Sequence, residues 1–268
     1  MATFKLTDAL RAEYTTLFDT CVANPGRESE VDGLVTALAA NRGRYQAVGG
    51  PLGIPWHVVA VIHNMESSQN FTRHLHNGDP LTARTVQVPK GRPKTGTPPF
   101  TWEFSAADAL AGDGLNTWTD WTLAGTLYKL ELYNGTGYRL HHPQVKSPYL
   151  WSFSNHYVSG KYVADGTWSD TARSNQCGAA LLLRRMAEKQ LIGFADQPLP
   201  TPDAPPLVVR YSATKPVDPA LLDAAKTLQK WLNTHAGIFV TPDGWPAKGT
   251  SDAFKVVTGH FLPGDPRG

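Results

Sequence analysis

The chain has 268 residues, of which 41% are hydrophobic and 18% charged, and its net charge is +2. That length can bury one substantial core and a smaller second one, and so mild a positive charge, with no Lys/Arg-rich stripe, argues against a nucleic-acid partner. No apolar run approaches the roughly 20 residues that a bilayer span needs, and Cys21 and Cys177 are too few for a disulfide framework and read as buried thiols.

In chain order, the opening MATFKLTDALRAEYTTLF predicts an amphipathic helix over about 7–24, capped by Thr7 or Asp8. It has neither the basic start nor the apolar core of a signal peptide. Helical patterns follow over about 30–46 and 55–67. From Asn70 to Pro99, Gly, Pro and Thr gather around a short β-rich run, Ala83-Arg84-Thr85-Val86-Gln87-Val88, which predicts a small hairpin. Helices resume over about 105–110, 118–133 and 175–192, so the expected fold class is α+β, mainly α.

The proline-dense stretch 196–215 disfavours helix and predicts an extended spacer. It divides the chain into a domain 1–195 and a small helical module 216–268. In the module, Leu221, Ala225, Leu228 and Leu232 share one helix face behind Asp218 as N-cap and Pro219 at the first helical position.

One residue breaks the apolar logic of the 55–67 helix. At 100° per residue Val58, Val59, Ile62 and Met65 form a stripe, and Glu66 falls within it. A carboxyl held against apolar walls keeps its proton towards neutral pH and can act as a general acid, the role glycosidic bond cleavage requires. Hydrolysis needs a second carboxylate, either to activate water or as a nucleophile. Asp79, in the turn Asn77-Gly78-Asp79-Pro80, is the first candidate, with Glu103, Asp108 and Asp113 as further acids the fold can bring near. Thr82 and Thr85, on the same segment as Asp79, have hydroxyls suited to orienting a water. The alternative for Asp79 is a turn-forming role, and for Glu66 a helix end that frays into solvent.

These residues carry a resemblance. Met65-Glu66-Ser67-Ser68-Gln69-Asn70-Phe71, entered from Ile54-Pro55, resembles the acid helix of goose-type lysozymes and soluble lytic transglycosylases. Tyr133-Asn134-Gly135-Thr136-Gly137-Tyr138 is similar to the segment that shapes the sugar subsites in that superfamily. The resemblance covers about residues 50–165. It implies a lysozyme-like domain in which Glu66 is the general acid and Tyr133, Asn134, Gly135 and Tyr138 contact the glycan, with Tyr149, Trp151 and Tyr157 as aromatic platforms. The spacing from Glu66 to Phe71 departs from the family pattern, and the segment from Leu75 to Pro93 is longer and more polar.

Residues 228–257 resemble a small three-helix peptidoglycan-binding module through Leu228, Gln229, Leu232, Asp243, Gly244, Thr250 and Ala253, without the expected glycine near Ala247. Together the two resemblances imply a muramidase of the phage endolysin type, acting as a monomer on peptidoglycan glycan strands without cofactor, metal or membrane partner. Such a protein is expected to be made in the cytoplasm and to reach the wall through a holin, a secretion system or lysis. Three rival readings stay open: a chitinase or chitosanase, a lytic transglycosylase, and a wall-binding protein without activity. A zinc peptidase built on His63, His74, His76, His141 and His142 has only His74-Leu75-His76 in its favour, since HExxH is absent.

Overall fold

The computed structural model describes residues 4–164, 166–189, 191–196 and 209–268. Its helices are α1 (Asp8–Asp19), α2 (Glu28–Ala40), α3 (Arg42–Gly49), α4 (Trp56–Ser67), α5 (Trp102–Gly112), α6 (Leu123–Asn134), α7 (Gly137–His141), α8 (Pro148–Trp151), α9 (Ala179–Glu188), α10 (Pro219–Leu232) and α11 (Lys248–Thr258). Two short strands, β1 (Lys161–Ala164) and β2 (Thr167–Ser169), pair antiparallel with Tyr162 opposite Trp168. The fold is therefore α+β and mainly helical. The chain divides into two compact units, Met1–Arg185 and Met186–Gly268.

Helix α4 lies at the centre of the first unit, with every residue from His57 to Met65 buried. A helix buried on all sides needs neighbours on all sides; α3 packs against it, and α5 reaches it through Trp102 on His63. The turn from α3 into α4 is tight: a Cβ on Gly49 would lie 2.3 Å from the Ile54 carbonyl oxygen, closer than any side chain allows. Around His63, at the core of this packing, Trp102 and Phe71 each place a ring centroid 4.5 Å away, and the Tyr45 hydroxyl lies 3.1 Å from Nδ1. Burial pulls the His63 pKa down to about 4, so this imidazole is a neutral core group at physiological pH.

Local signals placed several element ends well. Thr7, of the two proposed caps, accepts the Leu10 N–H at 3.2 Å, and Asp218 accepts the Ala220 N–H at 2.8 Å ahead of Pro219. The expected 30–46 helix is two helices, broken at Asn41, whose side chain turns back to donate to the Ala37 carbonyl. A larger correction concerns the hairpin. Residues 83–88 form no strand, and the paired strands lie instead at 161–169. Local β propensity is a weak guide when no partner strand lies alongside, and here the loop's amides are taken by side chains.

In the second unit, α10 and α11 close on a core of Val209, Ala225, Leu228, Leu232, Ile238, Ala253, Phe254, Val257 and Leu262. The module was expected to hold three helices. Residues 209–268 contain two, and the chain between them is irregular, tied by Asn233 to both backbone groups of Val240 at 2.7 Å. Gln229, almost fully buried, donates to Asp243, the Trp245 carbonyl and Thr250 and accepts the Gly244 N–H at 2.8 Å. Of the residues that carry the module's resemblance, Gln229, Asp243, Gly244 and Thr250 thus meet as the scaffold of one turn, and Leu228, Leu232 and Ala253 lie in the core. Of the expected spacer, 197–208 lie outside the described residues. Val209 is in the module's core, and Tyr211 and Ser212 bond to the backbone of Pro263 and Pro246, so 209–212 belong to the folded module.

Candidate active site

Glu66 sits in the last turn of α4, where the helix first meets solvent after nine consecutive buried residues. Its side chain is open to water yet flanked by protein, and the loss of hydration raises its pKa above the ordinary carboxylate value. The negative charge of Asp113 pushes the same way, while the Tyr149 hydroxyl, donating to Oε1 at 3.1 Å, opposes both by stabilising the anion.

Asp113 is the C-cap residue of α5. The α6 residues Lys129 and Tyr133, one turn apart, both reach it. The Tyr133 hydroxyl faces the carboxylate and favours its ionised form, and the Lys129 ammonium donates to the Asp113 carbonyl oxygen at 3.3 Å. Burial raises the Asp113 pKa, against the pull of His76, Tyr133, Lys129 and Arg92. Its neighbours are held in turn: Asp108 Oδ2 accepts from His76 Nε2 at 2.8 Å and from Arg92 Nε at 2.9 Å.

The two carboxyls are therefore not equivalent. Three cationic or dipolar partners besides a hydroxyl favour ionised Asp113, whereas Glu66 has one hydroxyl and a facing negative charge. When two acids share a site, the better solvated and better paired one ionises first and its charge retains the proton on the other. The surroundings thus favour ionised Asp113 over ionised Glu66, while burial raises the pKa of both.

Asp79 stands elsewhere. Its Oδ2 accepts the N–H groups of Val86 at 2.8 Å and Gln87 at 3.1 Å as well as the Asn77 side chain, and these bonds hold its pKa below the usual value. A carboxylate spent on two backbone amides shapes the 79–87 loop; it has little capacity left for activating water. Thr85, also buried, closes the same loop by donating to the Pro89 carbonyl and accepting the Arg92 N–H. Thr82 is exposed on that loop. Asp79→Asn should consequently lower the thermal midpoint by a few degrees and leave most of the activity. Because the folded pKa is depressed, the stability Asp79 contributes is present above its unfolded pKa and is lost as pH falls through the folded value. The difference in midpoint between wild type and Asp79→Asn should thus be larger at pH 7 than at pH 3; equal midpoints at both would refute this assignment.

The remaining candidates divide. Tyr133 belongs to the acid pair, and Asn134 and Gly135 are exposed at the end of α6, where Gly135 takes φ +95°. Tyr138 is buried beneath Tyr162 and Trp168, its hydroxyl accepting the Tyr162 N–H. Trp151 is among the largest fully buried side chains, so it packs the core and offers no stacking face to a sugar. Tyr157 is buried as well, its hydroxyl spanning the Gly160 carbonyl and the Ser174 N–H. Glu103 is paired to Arg44 at 2.6 Å, and Asp108 to His76 and Arg92.

Sequence reasoning placed Tyr149 among stacking platforms, but it meets Glu66 through its hydroxyl. His76 was weighed as a metal ligand and serves the Asp108 and Asp113 pair. His74 is committed at both ring nitrogens, donating from Nε2 to the Ala83 carbonyl at 2.8 Å and lying 2.6 Å from Ser105 Oγ through Nδ1. No family model matches the chain, and neither the curated proteins nor the solved structures give a match.

Proposed function

We propose that the protein is a glycoside hydrolase that cuts the β-1,4 bond between N-acetylmuramic acid and N-acetylglucosamine in peptidoglycan. The observation that carries this reading is the unequal surroundings of two carboxyls: Glu66 takes one hydroxyl, from Tyr149, and feels the Asp113 charge, whereas Asp113 is faced by Tyr133, Lys129, Arg92 and His76. Glycosidic cleavage needs that division: one group protonates the leaving oxygen while the other activates water or stabilises the oxocarbenium-like centre. Tyr149 orients the acid from α8, and Tyr133 faces the base from α6 and favours its ionised form. The choice of peptidoglycan rests on the resemblance of the 65–71 and 133–138 segments and of the Gln229, Asp243, Gly244, Thr250 turn to wall-active proteins. A wall-holding role for the second unit belongs to the same reading, since a tethered second contact raises the local concentration of a polymeric substrate.

Mass spectrometry of digested sacculi tests it directly. Fragments with reducing N-acetylmuramic acid ends are expected. Reducing N-acetylglucosamine ends would move the cut to the other linkage, anhydro-muramic ends would identify a lytic transglycosylase, and free stem peptides would overturn the glycosidase reading. Cleavage of chitin with intact sacculi would transfer the same chemistry to a neutral glycan.

A further inference from the structure

The end of α4 leaves a specific gap in its hydrogen bonding. The last carbonyls of a helix have no intrahelical donor and must find one outside. Here the Ser68 N–H bonds to the Asn64 carbonyl, Gln69 N–H reaches back to His63, and Asn70 N–H goes to Ser67. Ser68 and Gln69 both take positive φ, 50° and 62°, so the chain leaves the helix abruptly. The Gln69 amide, which would continue the ladder onto Met65, is thus used elsewhere. The Met65 carbonyl belongs to the peptide group that carries Glu66.

Its donor comes from far along the chain. Gln176 Nε2 donates to the Met65 carbonyl at 2.6 Å and to that of Asn64 at 3.1 Å. Gln176 is itself held by Ser174, whose N–H bonds to the buried Tyr157 hydroxyl. Two residues further on, the Gly178 N–H bonds to the Ser152 carbonyl at 3.0 Å. A Cβ there would lie 2.3 Å from the Leu150 carbonyl oxygen, so only glycine permits the approach. Leu150 follows Tyr149, the hydroxyl donor to Glu66. One short segment therefore grips both the peptide of the acid and the turn that carries its hydrogen-bond donor.

We propose that Gln176 is a positioning residue for Glu66, the 174–178 segment acting as a strap that fixes the acid and Tyr149 relative to each other. The inference rests on the reading of Glu66 as the general acid. A general acid must meet the leaving oxygen within hydrogen-bond reach, and a displacement of about 1 Å can cost up to about 10²-fold. The groups that face Glu66 are Tyr149 from α8, Asp113 from the end of α5 and Tyr133 from α6, with His76, Arg92 and Lys129 acting on Asp113. Loosening the strap weakens the Tyr149 bond and leaves the Asp113 charge, so the Glu66 carboxyl should hold its proton to higher pH.

The test is Gln176→Met in the full chain, which keeps length and removes the donor. The expected result is kcat lowered by about 10-fold with KM nearly unchanged, and a Glu66 carboxyl titration, followed by carbon NMR, displaced upward. A wild-type kcat with an unmoved titration would overturn the proposal. If that variant does not fold, Gln176→Lys decides, since it keeps N–H donors and adds a positive charge. Near-wild-type kcat with the titration displaced downward supports the strap, and an unmoved titration overturns it. The NMR readout needs no turnover, so failure of the strap is distinguishable from failure of the acid assignment, which an active Glu66→Gln would reveal.

Discussion

Glu66→Gln is expected to reduce glycan cleavage by at least about 10²-fold, the usual cost of removing a general acid, with little change in substrate binding. Glutamine keeps the shape and can still accept from Tyr149, but it has no proton to give. The same acid should set one limb of the pH profile. Burial and the Asp113 charge raise the Glu66 pKa, so the active protonated form persists to higher pH than for a free glutamate and is lost as pH rises through the raised value. Stability carries the opposite signature. With a folded pKa above the unfolded one, ionised Glu66 weakens the fold at pH above its folded value, and the neutral variant removes that penalty. Glu66→Gln should thus unfold at or above the wild-type temperature at pH 8 and at the same temperature at pH 4. Lysis of sacculi at the wild-type rate by this variant would end the assignment.

The sequence made Glu66 legible because a short apolar helix ran into a charge, and that reading needed only the helical period. The stripe itself proved the lesser part of the reason. Helix α4 is buried from His57 through Met65, and Glu66 stands apart as the exposed residue that follows. The acid proposed as its partner was not legible for a different reason. Asp79 is close in sequence and lies in an apparent hairpin, whereas Asp113 depends on α6 bringing Lys129 and Tyr133 across from another part of the chain. Sequence distance is a poor measure of which carboxyls feel each other's charge. Asp113 was in view only as one of several acids.

Aromatic residues misled for a similar reason. A cluster such as Tyr149-Leu150-Trp151 satisfies a sugar-stacking pattern and a core-packing pattern equally well, since large rings supply the most buried area in either setting. Trp151 went to the core, and Tyr149 to the acid through its polar end. Gln176 carried no signal at all: a lone amide after a serine has no period or motif, and its role exists only because the α4 terminus leaves a carbonyl without a backbone donor. Caps read locally, such as Thr7 and Asp218, were placed well because their partners lie three or fewer residues away.

Asp113→Asn is the second large effect expected, a loss on the order of 10²-fold or more as for other catalytic bases, set against the retained activity of Asp79→Asn. Asparagine keeps the size of the side chain, and the backbone carbonyl at 113 still accepts from Lys129, so the α5 terminus and its contact with α6 should survive. Two changes separate a catalytic role from a packing role. The acid limb of the pH profile, which reports ionisation of Asp113 and falls away as pH drops through its raised pKa, should disappear in the variant. The Glu66 titration should also move down, because the facing negative charge that helps to hold its proton is gone. Azide added to Asp113→Ala supplies a small nucleophile in the space of the missing carboxylate, and partial recovery with a glycosyl azide product would place Asp113 on the reacting face of the sugar. The anomeric configuration of the product first released by the wild-type enzyme, inverted or retained, then tells whether the carboxylate activates water or attacks the sugar itself. An Asp113→Asn enzyme with wild-type kcat and an unmoved Glu66 titration would show that the second charge is not part of the chemistry, and a single-acid mechanism releasing anhydro-muramic ends would then be the better account of Glu66.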